Sequence, residues 1–165
     1  MPHQVPVEVE KEIDQRLTRY PDKRSALLPA LHAIQGHFRY VPEDLVQWVA
    51  AKLELEPIQV MEVLTFYPGF RQTEPGRFHI RVCRTLSCAM AGSHVLMDKL
   101  SETAGIDRSH ADHHHPICVS KDGRFSIEFA ECLASCGTGP VCMVNDDLHE
   151  QVRPEDARKL LDRYS

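Results

Sequence analysis

Along the first 70 residues apolar side chains return every three or four positions, and beyond residue 76 they return every second one. Val9, Ile13 and Leu17 are four apart and share one face of a helix beginning at Glu8. A second apolar stretch, residues 26–34, is interrupted by Pro29, so its helix either starts late, near Ser25, or bends at the proline. Pro42 suits the first position of a third helix, with Leu45, Val46, Val49 and Leu53 as its stripe. Pro57 opens a fourth, with Val60, Met61, Leu64 and Phe66 inward, and Pro68-Gly69 closes it. Helices this short need tertiary packing to persist. Residues 8–70 therefore predict a small helical bundle behind a loose N-terminus, residues 1–7.

The period changes after Pro75-Gly76. Phe78, Ile80 and Val82 alternate with Arg77, His79 and Arg81, which predicts a half-buried strand leading to Cys83. Residues 89–104 read as a helix with Val95, Leu96 and Leu100 inward, and residues 105–123 as a polar loop ending in the Asp122-Gly123 turn. Phe125, Ile127 and Phe129 mark a second strand that stops just before Cys132. Residues 141–144 are a buried strand, turned by Asn145-Asp146-Asp147 into a partner at residues 148–152. A last helix starts at Pro154. Glu155 and Asp156 in its first turn and Arg158, Lys159 and Arg163 later complement its dipole. Strand, helix, strand, hairpin, helix is a mixed α/β domain. It occupies residues 76–165, with the boundary in residues 68–76.

A composition of 42% hydrophobic and 26% charged residues supports a buried core. A net charge of −5, with scattered basic residues, argues against nucleic acid as a partner. The N-terminus has neither the basic start and apolar run of a secretion signal nor the acid-poor character of a transit peptide. The longest uncharged stretches, such as residues 86–97, fall short of the ~20 residues that cross a bilayer. The expected location is cytoplasmic, peripheral to a membrane only through partner subunits.

In that compartment thiols stay reduced, and grouped cysteines point to metal or redox chemistry. Four of the six cysteines form two groups, Cys83-x4-Cys88 and Cys132-x3-Cys136, each where a strand runs into a loop. Four thiolates suit the iron of an Fe–S cluster, and Gly137 and Gly139 would let backbone N–H groups approach sulfur. Structural zinc also takes four cysteines, but its knuckles are usually C-x2-C, and neither spacing here is x2. Four unlinked buried cysteines are the third reading. No C-x-x-C redox pair is present. Cys142, in an apolar run, and Cys118 are better read as packing residues. His110, Asp112 and the run His113-His114-His115 could bind a metal in principle, though a solvated loop is the simpler reading. His32 and His37 read as packed or surface residues of the bundle. Gly137-Thr138-Gly139-Pro140 lacks the length of a dinucleotide fingerprint, and no P-loop or nucleophile–base pair stands out. Electrons must therefore arrive from another subunit, and no catalytic acid or base is assigned.

The segments LLPALHAIQGHFRYVPEDL, EVLTFYPGF, HIRVCRTLSCAMAGS and ECLASCGTGPVCMVNDDLHEQVRPEDARKLL resemble one family. It is that of the small, E-type Fe–S subunit of NADH:quinone oxidoreductase, respiratory complex I. Close relatives serve NAD-linked hydrogenases and formate dehydrogenases. The resemblance runs from about residue 16 to residue 164 and departs at residues 107–120, which are longer and richer in histidine. It implies a helical N-terminal domain, a thioredoxin-like C-terminal domain, and Cys83, Cys88, Cys132 and Cys136 as ligands of one [2Fe–2S] cluster. It also implies a partner subunit binding FMN, NADH and a [4Fe–4S] cluster within a larger respiratory complex. The alternatives are a diaphorase subunit of a hydrogenase or formate dehydrogenase, a free-standing ferredoxin-like carrier, or a zinc adaptor. All-cysteine clusters of the plant ferredoxin type lie near ~ −400 mV, and Arg81 or Arg84 would raise that value if close.

Overall fold

The computed structural model describes residues 3–112 and 115–164. The chain divides into two compact units between Glu74 and Pro75.

The first unit is four helices: α1 (Val7–Leu17), α2 (Leu27–Phe38), α3 (Asp44–Leu53) and α4 (Pro57–Phe66). A 3-10 turn at Arg24–Ala26 leads into α2, so Pro29 falls in the first helical turn, where its missing N–H leaves no hydrogen bond unmade. The helix therefore starts late and does not bend. The predicted stripes meet in one core, with Ile13, Leu31, Ile34, Val49, Leu53, Val60 and Leu64 all nearly inaccessible to solvent. Lys52 of α3 reaches both Glu10 and Asp14 of α1, each at 2.8 Å. Phe66 was expected inward and is instead 76% exposed. It lies two residues past Leu64, about 200° around the helix, on the opposite face.

The second unit is a five-stranded sheet in the order β2-β3-β1-β4-β5, with strands Cys118–Val119, Phe125–Ala130, Phe78–Cys83, Cys142–Val144 and Asp147–His149. β1 and β3 are parallel, in register from Phe78↔Phe125 to Cys83↔Ala130, and every other pair is antiparallel. Parallel neighbours need a crossover, supplied here by α5 (Leu86–Met90) and α6 (Ser93–Ala104). The single helix expected over residues 89–104 is thus two, hinged at Gly92 in the left-handed region, φ 98°. Leu96 and Leu100 face the sheet with Met97, but Val95 is 60% exposed, a correction to its expected inward place. α7 (Ala157–Leu161) packs on α6 and completes the core. β2 has only two residues and lies inside the segment that reads as polar loop, too short to show a period.

β1 is buried on both faces at its start, contrary to the half-buried strand expected. His79 is 1% exposed because Ser126 Oγ, 2.8 Å from Nδ1, and Glu128 Oε1, 2.8 Å from Nε2, satisfy its ring. A buried polar side chain is tolerated when its hydrogen bonds are made within the protein.

β5 is clasped to the C-terminal segment. The Tyr164 hydroxyl donates to Asp147 Oδ2 at 3.0 Å and accepts from His149 Nε2 at 2.6 Å. Burial, then Asp147, pushes the Tyr164 phenol up to about 12. Burial, then Arg163, lowers His149 below its ordinary value, with Asp147 opposing. The unfolded chain therefore takes up a proton at His149 more readily than the folded one. The stabilising contribution is complete above the unfolded value of ~6.5 and is lost as pH falls below it. Urea unfolding at pH 7.5 and 5.5 should show lower stability at 5.5, and His149→Gln should shrink that difference. An unchanged difference would refute this account.

Candidate metal centre

Sheet topology brings the cysteine loops to one end. The parallel strands β1 and β3 finish together at Cys83 and Ala130, and β4 begins beside them, Val82 facing Cys142. Cys83 N–H donates to Val141 O at 3.1 Å, and Arg84 N–H to Ala130 O at 3.0 Å. The end of β1 with the segment after it, the segment after β3 and the segment before β4 therefore share one end of the sheet, and all four singled-out cysteines lie on them.

Cys83 and Cys88 are almost fully buried and form a small cluster with Val141 and Leu133. Cys132 and Cys136 are exposed on the second loop. All six thiols are free. The Cys83 sulfur lies 3.1 Å from Thr85 Oγ1, whose hydroxyl donates to Glu131 O at 2.6 Å, so Thr85 ties the two loops together. Burial works against ionisation of Cys83, but hydrogen bonding with the Thr85 side chain, backbone hydrogen bonds from Thr85 and Leu133, and Cys88 outweigh it and lower its thiol. Burial pushes Cys88 up against a backbone hydrogen bond from Val141, and Cys83 and Cys136 push it further. Cys88 thus feels the charge of both Cys83 and Cys136. Cys132 takes a hydrogen bond from Ala134 N–H at 3.3 Å.

That amide was expected from Gly137 or Gly139. Ala134 supplies it by adopting φ 56°, a conformation its sequence does not advertise. Gly139 serves differently. A Cβ there would sit 3.5 Å from the Cys88 sulfur and 3.4 Å from Ala91 Cβ, so its bare backbone forms one wall beside the thiol. The second loop is anchored by Gln151 N–H to Thr138 O at 2.8 Å and Val152 N–H to Pro140 O at 3.0 Å. Glu150 closes on Ser135 and Thr138, whose hydroxyls hold its carboxyl below the usual range.

Of the two arginines, Arg84 is engaged by Glu131 on the surface, and its hydrogen bond lowers that carboxyl. Arg81 Nη2 turns to Asn145 O at 3.1 Å and Met143 Sδ at 3.5 Å. Cys142 is fully buried in β4 and burial alone raises its thiol to about 12, as befits a packing residue. Cys118 is half-buried in the edge strand β2, and burial raises its thiol too. His115 Nδ1 stands 3.5 Å from Asp112 Oδ1 in an exposed loop, His110 is exposed, and His113 and His114 lie outside the described residues. His32 packs on Phe70, centroids 4.8 Å apart, and His37 on Phe38 at 4.6 Å. Among the described residues, no three His, Cys, Asp or Glu side chains are gathered around a point that would hold a single ion.

A parallel βαβ unit extended by an antiparallel hairpin, carrying a thiol donor set on the loops at one sheet end, is a thioredoxin-like α/β scaffold of the metal-thiolate kind. The chain belongs to the thioredoxin-like [2Fe-2S] ferredoxin family, whose sequence pattern matches residues 13–165. The second E-type subunit of the NADH-quinone oxidoreductase of Rhizobium meliloti (strain 1021) is 34% identical over 154 residues, 93% of this chain and 87% of that one. The E-type subunit of the Aquifex aeolicus (strain VF5) NADH-quinone oxidoreductase is 32% identical over 160 residues, 97% of this chain and 95% of that one. Among solved structures, the H2-reduced NAD+-reducing [NiFe]-hydrogenase matches with a TM-score of 0.62 at 19% identity. The match covers 84% of this chain but 22% of that one, and the likeness is one of fold. One [2Fe–2S] cluster is the cofactor of the family, which decides between the iron and zinc readings that spacing leaves open. The site fits it, with free thiols, a bare-backbone wall at Gly139 and an amide aimed at sulfur.

Proposed function

We propose that the chain is the small electron-transfer subunit of an NADH:quinone oxidoreductase. It exchanges single electrons with FMN on a partner subunit that also binds NADH and a [4Fe–4S] cluster. Cys83, Cys88, Cys132 and Cys136 are the ligands of its own [2Fe–2S] cluster. The observation that carries this reading is the convergence of the two cysteine loops at one sheet end. When bound, the cluster supplies one-electron chemistry. The chain's own residues do the rest. Buried Cys83 and Cys88 and exposed Cys132 and Cys136 give the site one side set into the protein and one side open to a partner. The Ala134 amide stabilises negative charge on sulfur.

Relatives at 32% to 34% identity carry the quinone oxidoreductase name, whereas the hydrogenase likeness is one of fold, which favours the former over a hydrogenase diaphorase. Among the described residues no helix is long and apolar enough to cross a membrane, and we read membrane association as running through partner subunits. The 8–70 bundle and the 76–165 domain are our division of labour, docking first and electron carriage second.

Low-temperature EPR of anaerobically purified protein tests this, with iron, sulfide and zinc counted on one sample. A rhombic S = 1/2 signal on dithionite reduction, with about two irons and two sulfides per chain, is expected. NADH should produce that signal only after a flavin-bearing partner subunit is added. A silent spectrum with about one zinc per chain would leave a structural adaptor instead.

A further inference from the structure

A serine or threonine at a helix N-cap ordinarily accepts a hydrogen bond from the backbone N–H groups of the first turn. Thr85 stands at that place before α5, yet its side chain makes no such bond. Its hydroxyl oxygen lies instead 3.1 Å from the Cys83 sulfur, and the hydroxyl donates to Glu131 O at 2.6 Å. The same sulfur stands 3.9 Å from Glu131 O. One hydroxyl is thus set between the buried thiol of the first loop and the carbonyl that precedes Cys132.

In the metal-free chain this triangle of heavy atoms holds two hydrogens. The thiol and the hydroxyl carry one each, and the carbonyl only accepts. The hydroxyl hydrogen goes to Glu131 O, which leaves Thr85 Oγ1 to accept from the Cys83 thiol. Both hydrogens are used.

A cysteine ligates metal as a thiolate, its proton passing to solvent. One hydrogen then remains for two acceptors, the sulfur and the carbonyl. Their claims are unequal. Glu131 is exposed, so water can take over its carbonyl, whereas Cys83 is 2% exposed and its sulfur has little access to water. A hydrogen bond to a charged acceptor is also the stronger one. At 3.1 Å from the sulfur, the hydroxyl needs only to rotate about its own C–O bond to reach it.

We infer that, once the cluster is bound, the Thr85 hydroxyl turns from Glu131 O to the Cys83 sulfur and raises the reduction potential of the iron–sulfur centre. This rests on the function proposed above, with Cys83 as a ligand, and adds to it the residue that tunes the site. The reduced centre is more negative by one charge than the oxidised one, so a donor at sulfur stabilises it more. Thr85 acts through Cys83, as a positioning residue, and takes no part in proton chemistry.

The test is Thr85→Val, which keeps the shape and removes the hydroxyl, read by EPR-monitored redox titration of the cluster-loaded protein. The oxidised-to-reduced equilibrium should shift about three- to tenfold against reduction, tenfold being ~59 mV for one electron. Thr85→Ala, which also lacks the hydroxyl and needs less room, should shift it the same way. Thr85→Ser, which keeps the hydroxyl, should hold the parent potential. A hydroxyl that merely ties the two loops together would cost Thr85→Val thermal stability or iron without moving the potential of the cluster that remains. That result overturns the inference, as does a Thr85→Ser potential displaced as far as that of Thr85→Val. A parent chain with no reducible cluster overturns this inference together with the proposed function, whereas a normal parent cluster with unmoved variants overturns this inference alone.

Discussion

Cys88→Ser should leave the chain with almost none of the roughly two irons a [2Fe–2S] protein carries. Cys88 is 1% exposed, and its sulfur is shared between Cys83, a backbone hydrogen bond from Val141 and the wall at Gly139. A serine oxygen is smaller and harder than sulfur and ionises far less readily, so it offers iron a poor ligand in a pocket shaped for a thiolate. Water has little access there to substitute for the missing sulfur. Cys142→Ala, by contrast, should keep both its iron and its EPR signal, because Cys142 faces the core between sheet and helices. Counting iron and sulfide per chain in the two variants decides the matter. Full iron in Cys88→Ser, or its loss in Cys142→Ala, would mean that the ligand set is wrong.

The second large effect is steric. In Gly76→Ala the new Cβ would lie 2.6 Å from the carbonyl carbon of Phe125, 2.8 Å from its oxygen and 2.8 Å from Ser126 N. All three are backbone atoms of the neighbouring strand, so no side chain can rotate away. The ladder starts at the same place, with Arg77 N–H on Gly123 O at 3.0 Å and Phe78 N–H on Arg124 O at 2.8 Å. Relief therefore requires prising β1 from β3. A loss of ~3 kcal/mol or more is expected, at the upper end for overpacking. Gly69→Ala, where a Cβ meets nothing within 4 Å, should change stability by less than ~0.5 kcal/mol. Denaturant unfolding of the three proteins checks both, and equal losses would refute the backbone-contact argument.

Much of this architecture is legible in the sequence because burial writes itself as a period. The stripes of α1 to α4 and the alternation in β1 and β3 carry the core positions directly. The failures have local causes. Phe66 and Val95 are apolar residues off their stripes, and hydrophobicity alone does not say which side of a helix they take. His79 reads as a solvent-facing position, because only the pairing of β1 with β3 brings Ser126 and Glu128 to its ring. The spacing of the cysteines marks the site, yet it leaves zinc open, and the choice of ligands comes from a resemblance. What lies around the thiols is hidden more deeply. The hydroxyl of Thr85 and the left-handed Ala134 act through backbone geometry and distant partners, to which no local pattern points.

The parallel pairing of β1 and β3 also sets a timetable. Cys83 ends β1 and Cys88 lies in the first crossover helix, whereas Cys132 and Cys136 follow β3 and come late in synthesis. A nascent chain has only half of its thiols until the crossover has closed, and closing such non-local pairings is slow relative to forming local helices. On the proposed ligand set, iron delivered early would meet two sulfurs where four are wanted, so productive metallation belongs after the sheet has closed.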